Sequence, residues 1–223
     1  MVVDLICLAN SKKWGGYCVA GLRADGGGWM RPVNALANHG QLGRSEIALP
    51  DGTLPKPLDL LRVPLREAKP APTQPENWTI SPGRWRLLRR PVSQTLHCIL
   101  GSALAKGTDL LANRTDRISE KYCEEHPGTP SLALIAPESL QWRIGEDFNG
   151  KRQLRACFRW RGARYSLAIT DVELERRMRD LPNGLHPFRA AGFPPTSRIY
   201  LLISLGEPLE GVCYKLVAGV IAI

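Results

Sequence analysis

The chain has 223 residues, room for one large β domain or two small ones of roughly 100 residues each. Hydrophobic residues make up 43%, which excludes wholesale disorder, and no apolar stretch approaches the ~18 residues that span a bilayer. Lys and Arg total 30 against 21 Asp and Glu, a net charge of +9 that suits an anionic partner, nucleic acid being the commonest.

Val2 to Ala9 is an apolar run of strand length. The basic pair Lys12 and Lys13 follows that run instead of preceding it, which argues against a signal peptide and places the protein in the cytoplasm. Asn10 to Gly16 reads as a polar, glycine-ended loop, Tyr17 to Leu22 as a second strand, Asp25-Gly26-Gly27-Gly28 as a turn and Trp29 to Val33 as a third strand. A long loop leads to a strand over Leu58 to Arg66 and a proline-rich stretch from Lys69 to Pro75. Residues 76 to 90, including Arg84-Trp85-Arg86-Leu87-Leu88-Arg89-Arg90, give no clean period. Ser93 to Leu104 and Thr115 to Glu125 read as helices, the second capped by Thr115.

The last third is the most legible. Strands are expected at Leu132 to Ala136, Ser139 to Ile144, Gln153 to Arg161 and Arg164 to Thr170, with Gly145 to Gly150 a loop and Gly162-Ala163 a turn. A helix follows from Asp171, with Glu173 and Glu175 early and Arg176, Arg177 and Arg179 late, as the helix dipole favours. Two strands, Ile199 to Leu205 and Val212 to Ile221, finish the chain. Three meandering strands, a helix and two strands is the element order of an OB barrel. The N-terminal third has the same three-strand opening without a clear helix, so a second, degenerate barrel is expected there. The expected fold is mainly β (a β-rich α+β protein): two OB-like small barrels with a few helices between and within them. The expected domains are 1–90, a helical connector 91–130, and 131–223.

The 161–164 hairpin carries the functional expectation. With Gly162-Ala163 as the turn, Arg161 faces Arg164, Trp160 meets Tyr165, Phe158 meets Leu167 and Ala156 meets Ile169 on a core face. The other face carries Arg155, Arg159, Arg161 and Arg164 with no acid, and Lys151 and Arg152 extend the run. Like charges opposed on a sheet are destabilising, and a phosphate backbone relieves them. The alternatives are a solvated basic face, or pairing with Glu138 or Glu146. A second candidate element joins Asn10, Ser11, Lys12 and Lys13 to Trp29 and Arg31, which lie two apart on one strand as a pair suited to stacking on a base. Its alternative is a core Trp29 and an exposed lysine turn.

Catalytic signals are absent. His39, His97, His126 and His186 sit in no recognisable motif, and there is no G-x-S-x-G, phosphate loop or H-E-x-x-H. His39 with Asp51 and Asp59 is the one acid/base grouping the long loop offers. Six cysteines form no C-x-x-C pair, and Cys123 with His126 is half a zinc spacing without a second half. No metal, no cofactor and no enzymatic activity are expected.

Leu8-Ala9-Asn10-Ser11-Lys12-Lys13-Trp14-Gly15-Gly16-Tyr17-Cys18-Val19-Ala20-Gly21, followed by Gly28-Trp29-Met30-Arg31-Pro32-Val33, resembles the opening of bacterial dual OB-domain (DuOB) proteins. The ending resembles them through Ser204-Leu205-Gly206-Glu207-Pro208 and Cys213-Tyr214-Lys215-Leu216-Val217-Ala218-Gly219. The resemblance implies two OB-like barrels and a nucleic-acid-binding role in bacterial conflict or phage-defence loci, and it brings no catalytic residues. The leading expectation is a non-catalytic module that binds single-stranded or modified DNA or RNA. The alternatives are a sensor of a small anionic ligand such as a nucleotide, signalling to a protein partner, and a pure protein-interaction domain.

Overall fold

A computed structural model describes residues 1–90 and 93–223. The apolar opening forms β1 (Val2–Lys13), which turns at Trp14-Gly15 into β2 (Gly16–Arg23) and then β3 (Trp29–Val33). The expected loop from Asn10 to Gly16 is therefore strand up to Lys13. The polarity of Asn10 and Ser11 misled, because both are buried and hydrogen-bonded to backbone carbonyls: Asn10 Nδ2 donates to Pro55 O at 2.9 Å and Ser11 Oγ to Cys18 O at 3.3 Å. One helical turn, α1 (Arg44–Ile47), precedes β4 (Leu60–Ala68), β5 (Asn77–Ile80) and β6 (Arg86–Arg89).

The middle contains α2 (Ser93–Ala103), β7 (Arg117–Ser119) and α3 (Glu120–Glu125). Residues 91 and 92 of the expected connector lie outside the described residues. The helix expected from Thr115 starts later, because the Thr115 hydroxyl is held by the Asn113 carboxamide at 2.9 Å and Arg117 O at 2.8 Å. Ser119 is the cap instead, accepting from Tyr122 N at 3.1 Å.

The last third gives β8 (Leu132–Ile135), β9 (Ser139–Glu146), β10 (Arg152–Trp160), β11 (Ala163–Ile169), α4 (Val172–Arg177), β12 (Gly184–Pro187), a 3₁₀ turn (Phe188–Ala191), β13 (Ile199–Leu205) and β14 (Val212–Ala222). Asp171 caps α4, accepting from Leu174 N at 2.8 Å.

Ladder pairings decide the architecture. The first sheet runs β1-β2-β3-β5-β4 and closes by a β4–β1 ladder, with β3 and β5 parallel and β6 added to β4 outside the ring. That ring of five strands is the OB arrangement. The second sheet runs β9-β10-β11-β14-β13-β8, with β11 and β14 parallel. Consecutive β8 and β9 are the two arms of one bent first strand, broken around Pro137, one arm pairing β13 and the other β10. The same order thus recurs, with β12 added to β9 and β7 to β14. The protein is mainly β, 47% strand and 13% helix.

Each sheet encloses its own core, the first around Leu5, Val19, Met30 and Trp85, the second around Trp142, Phe158, Leu167 and Leu201. A third cluster joins them, with Leu8 and Ala20 from the first ring packed on Leu134, Leu202 and Ala218 from the second. There β1 and β14 approach backbone to backbone: a Cβ on Gly219 would lie 2.1 Å from Leu8 O, so only glycine fits. No helix of the described residues is long and apolar enough to cross a membrane.

Candidate nucleic-acid interface

The β10–β11 hairpin turns at Arg161-Gly162, both with positive φ (50° and 75°), the geometry of a type I′ turn with glycine in its second position. The register is Trp160 opposite Ala163, Phe158 opposite Tyr165 and Ala156 opposite Leu167. The expected pairs are thus displaced by two residues, and Arg159 rather than Arg161 faces Arg164. Because strand faces alternate with period two, the slip leaves the other strand side chains on their expected faces and moves Arg161 from the outward face into the turn. Ala156, Phe158, Trp160, Tyr165, Leu167 and Ile169 are buried.

The outward face brings Arg143 of β9 opposite Arg155, beside the Arg159–Arg164 pair. Arg155 is half-buried and lies across β11, donating to Ser166 Oγ at 3.1 Å, to Ser166 O, and to Gln153 Oε1 at 2.8 Å. Arg159 stands 4.0 Å from Glu138, both well exposed, and Arg161 rides 5.9 Å over the Trp160 ring. Arg143, Lys151 and Arg164 are exposed, and no ion pair forms on them among the described residues. Arg152 serves the fold, donating to Met178 O and Leu181 O, each at 2.9 Å, beyond the end of α4.

The N-terminal candidates separate. Asn10 and Ser11 are buried, and Trp29 packs half-buried against the shared core. Arg31 is 0% exposed, so no base reaches it. Its guanidinium joins the two rings, donating to Asn77 Oδ1 at 3.2 Å, Ser131 Oγ at 3.0 Å and Ser204 Oγ at 3.1 Å, with Glu76 at 3.8 Å. Lys12 pairs with Glu175, and Lys13 with Glu207 at 2.8 Å.

These lysines line a cleft of about 660 Å³ between the barrels. Its floor is the outer face of the second barrel, with Gln153, Arg155, Ala168 and Leu216. Its walls are the β9–β10 loop with Phe148, the β13–β14 loop with Glu207, and the β1–β2 turn with Trp14. An OB barrel holds oligonucleotides on strands 2 and 3 and on the loops joining strands 1–2 and 4–5, and the second barrel offers those elements here.

Two aromatic rings stand at the rim, Trp14 58% exposed and Phe148 94% exposed. Trp14 has φ 45°, unusual for a bulky residue. One face of its indole is stacked on His39, with centroids 4.3 Å apart. His39 Nδ1 lies 2.7 Å from Glu207 Oε2, and the other Glu207 oxygen holds Lys13. A carboxylate of the second barrel thus fixes the aromatic tip of the first. Lys215 closes one wall, buried, its ammonium donating to Asn113 O at 2.9 Å, Asn113 Oδ1 at 2.7 Å and Thr115 O at 2.8 Å, and burial pulls its pKa down to about 8. Nearby Asp116 is held below the usual carboxylate range by its hydrogen bond to Arg117.

The His39, Asp51 and Asp59 grouping is not assembled: His39 meets Glu207, Asp51 accepts from Thr53, and Asp59 pairs with Arg90 at 3.0 Å. No cluster of three or more His, Cys, Asp or Glu fit to hold a metal occurs among the described residues. Sequence reasoning missed Trp14, Phe148, Arg143 and Glu207. The available signals were an aromatic before Gly15 and an aromatic before the Asn149-Gly150 turn. The two segments that carry the family resemblance, far apart in the chain, meet across this cleft at Lys13 and Glu207.

The family profile described as a dual OB-containing domain matches residues 3–220. No curated protein matches the chain. Among solved structures, the crystal structure of the tetrameric p202 HIN2 is similar at 8% identity and a TM-score of 0.32, over 100% of this chain and 92% of that one.

Proposed function

The chain belongs to the dual OB-containing domain family, and we propose that it binds single-stranded nucleic acid without transforming it. Bases enter the cleft between the barrels, and phosphates run over the arginine face of β9, β10 and β11. The observation that carries this reading is Trp14, an indole 58% exposed and stacked on His39, at the mouth of a cleft in the OB ligand position. Aromatic faces accept any base, each stack contributing about 1–3 kcal/mol. Arg155 leads from the cleft floor to Arg159 and Arg164, whose guanidinium groups fork onto phosphates.

Fluorescence anisotropy with labelled single-stranded DNA and RNA across a salt series tests it. The expected result is saturable binding whose log K falls linearly with log salt, by about 0.7 per phosphate contact. Absent or salt-insensitive binding contradicts it.

One observation favours a second reading, a small anionic ligand such as a nucleotide that signals to a protein partner. The cleft, at about 660 Å³, falls within the ~300–1,000 Å³ of small-molecule sites. Thermal stabilisation by mononucleotides but not by oligonucleotides selects that reading.

A further inference from the structure

Four arginines fall within the seven residues Arg84-Trp85-Arg86-Leu87-Leu88-Arg89-Arg90, and none lines the cleft. Trp85 is buried in the core of the first barrel and anchors the run, while Arg84, Arg86, Arg89 and Arg90 are exposed. Among the described residues β6 pairs only with β4, which leaves its other side an open edge. In that ladder Arg86 lies opposite Arg62, Leu87 opposite Leu61 and Arg89 opposite Leu60. The register shift leaves Leu88 as an extra residue, and this bulge returns Arg89 to the outward face shared by Arg62 and Arg86. Without it, Arg89 would point inward.

The neighbouring carboxylates are already committed. Asp4 holds Arg62 at 2.8 and 3.0 Å, buried Asp59 holds Arg90 at 3.0 Å, and Glu67 stands 3.7 Å from Arg66. Among the described residues Arg84, Arg86 and Arg89 have no carboxylate in ion-pair range. A bulge that gathers like charges on one face, with no counter-charge supplied, stores repulsion that a polyanion relieves.

We infer that this arginine edge is a second contact for the phosphate backbone of nucleic acid, separate from the cleft, and that one long strand engages both. The test compares wild type with Arg84→Glu/Arg86→Glu/Arg89→Glu and with the milder Arg84→Ala/Arg86→Ala/Arg89→Ala. The probes are single-stranded oligonucleotides of about 6 and about 40 nucleotides, the shorter within the ~4–16 that one OB barrel covers. Circular dichroism and thermal melts confirm folding, and the alanine variant decides if the glutamate one fails to fold.

The expected result is unchanged affinity for the short strand, at least about tenfold weaker binding of the long one, and a salt slope smaller by about 2 for three lost contacts. Long-strand binding that falls in the variants while wild type ignores the short strand upholds the arginine edge and contradicts the cleft. Undiminished affinity and slope at both lengths overturn the inference and leave the arginines as guards of an open sheet edge.

Discussion

Trp14 holds a left-handed backbone conformation, φ 45°, at the first central position of the β1–β2 turn, which costs a bulky residue about 1–3 kcal/mol. Asn followed by Gly is the natural occupant of such a turn. Trp14→Asn should therefore raise the melting temperature or leave it unchanged, yet weaken oligonucleotide binding by about 1–3 kcal/mol through the lost stack. Thermal melts and anisotropy on the same preparation read both. A fall in stability with intact binding would make Trp14 a packing residue. Arg31 is the opposite case, a cation with no solvent contact that ties Ser131 and Ser204 to the first barrel. Arg31→Met removes one partner of a buried ionic cluster and leaves Glu76 behind, a loss of about 3–5 kcal/mol in urea denaturation. The sequence showed the residue type at both positions but not its exposure. A Trp and an Arg two apart on a strand read as a ligand pair, whereas the exposed indole proved to be the turn residue.

At the scale of elements, the β10–β11 hairpin sets Arg159 directly against Arg164. Arg159→Gln with Arg164→Gln removes like-charge repulsion, so stability should hold or rise while the salt slope of binding drops by about 1.4 for two contacts. A pair of equal affinities would remove this face from the interface. The start of α4 gives a pH test. Asp171 is pushed up to about 6 by burial, against the N–H groups of Leu174 and Val220 that favour its charge. The folded protein then holds this proton more tightly than the unfolded chain, whose value is near 3.8. Its contribution is full below that value and is lost as pH rises through about 6. Wild type should therefore gain stability relative to Asp171→Asn on going from pH 7 to pH 5, measured by thermal melts.

These C-terminal elements were legible because apolar residues alternate cleanly from Leu154 to Ile169 and Asp171 follows as a cap. Even a turn misplaced by one residue, which displaces the pairs by two, kept the strand faces. The first barrel was harder: β5 and β6 have four residues each, too short for a period to emerge, and the bulge at Leu88 breaks the alternation. Ser119 rather than Thr115 caps α3, because the Asn113–Arg117 turn competes for the threonine.

At the scale of the molecule, the two rings share a core through Leu8, Leu134, Leu202 and Ala218, and that contact places the β1–β2 turn over the second barrel. The cleft exists only because of this juxtaposition. Lys13 and Glu207 meet there across most of the chain length, a pairing that spacing and periodicity cannot reveal. The element order of the second barrel was therefore readable while the site between the two was not. Charge behaved in the same way. The excess of arginine was visible, but only pairing across strands shows which guanidinium groups are clasped, as in Arg31, Arg62 and Arg152, and which stand open, as in Arg143 and Arg164.

The most direct test of the cleft is a heteronuclear NMR titration of the isotope-labelled chain with a short single-stranded oligonucleotide. The account predicts shifts concentrated on the Trp14 indole, the backbone of Phe148, Gln153 and Arg155, and the Glu207 loop, appearing together at one affinity. Saturable shifts confined to surfaces away from these residues, or no shifts with DNA or RNA, would contradict it.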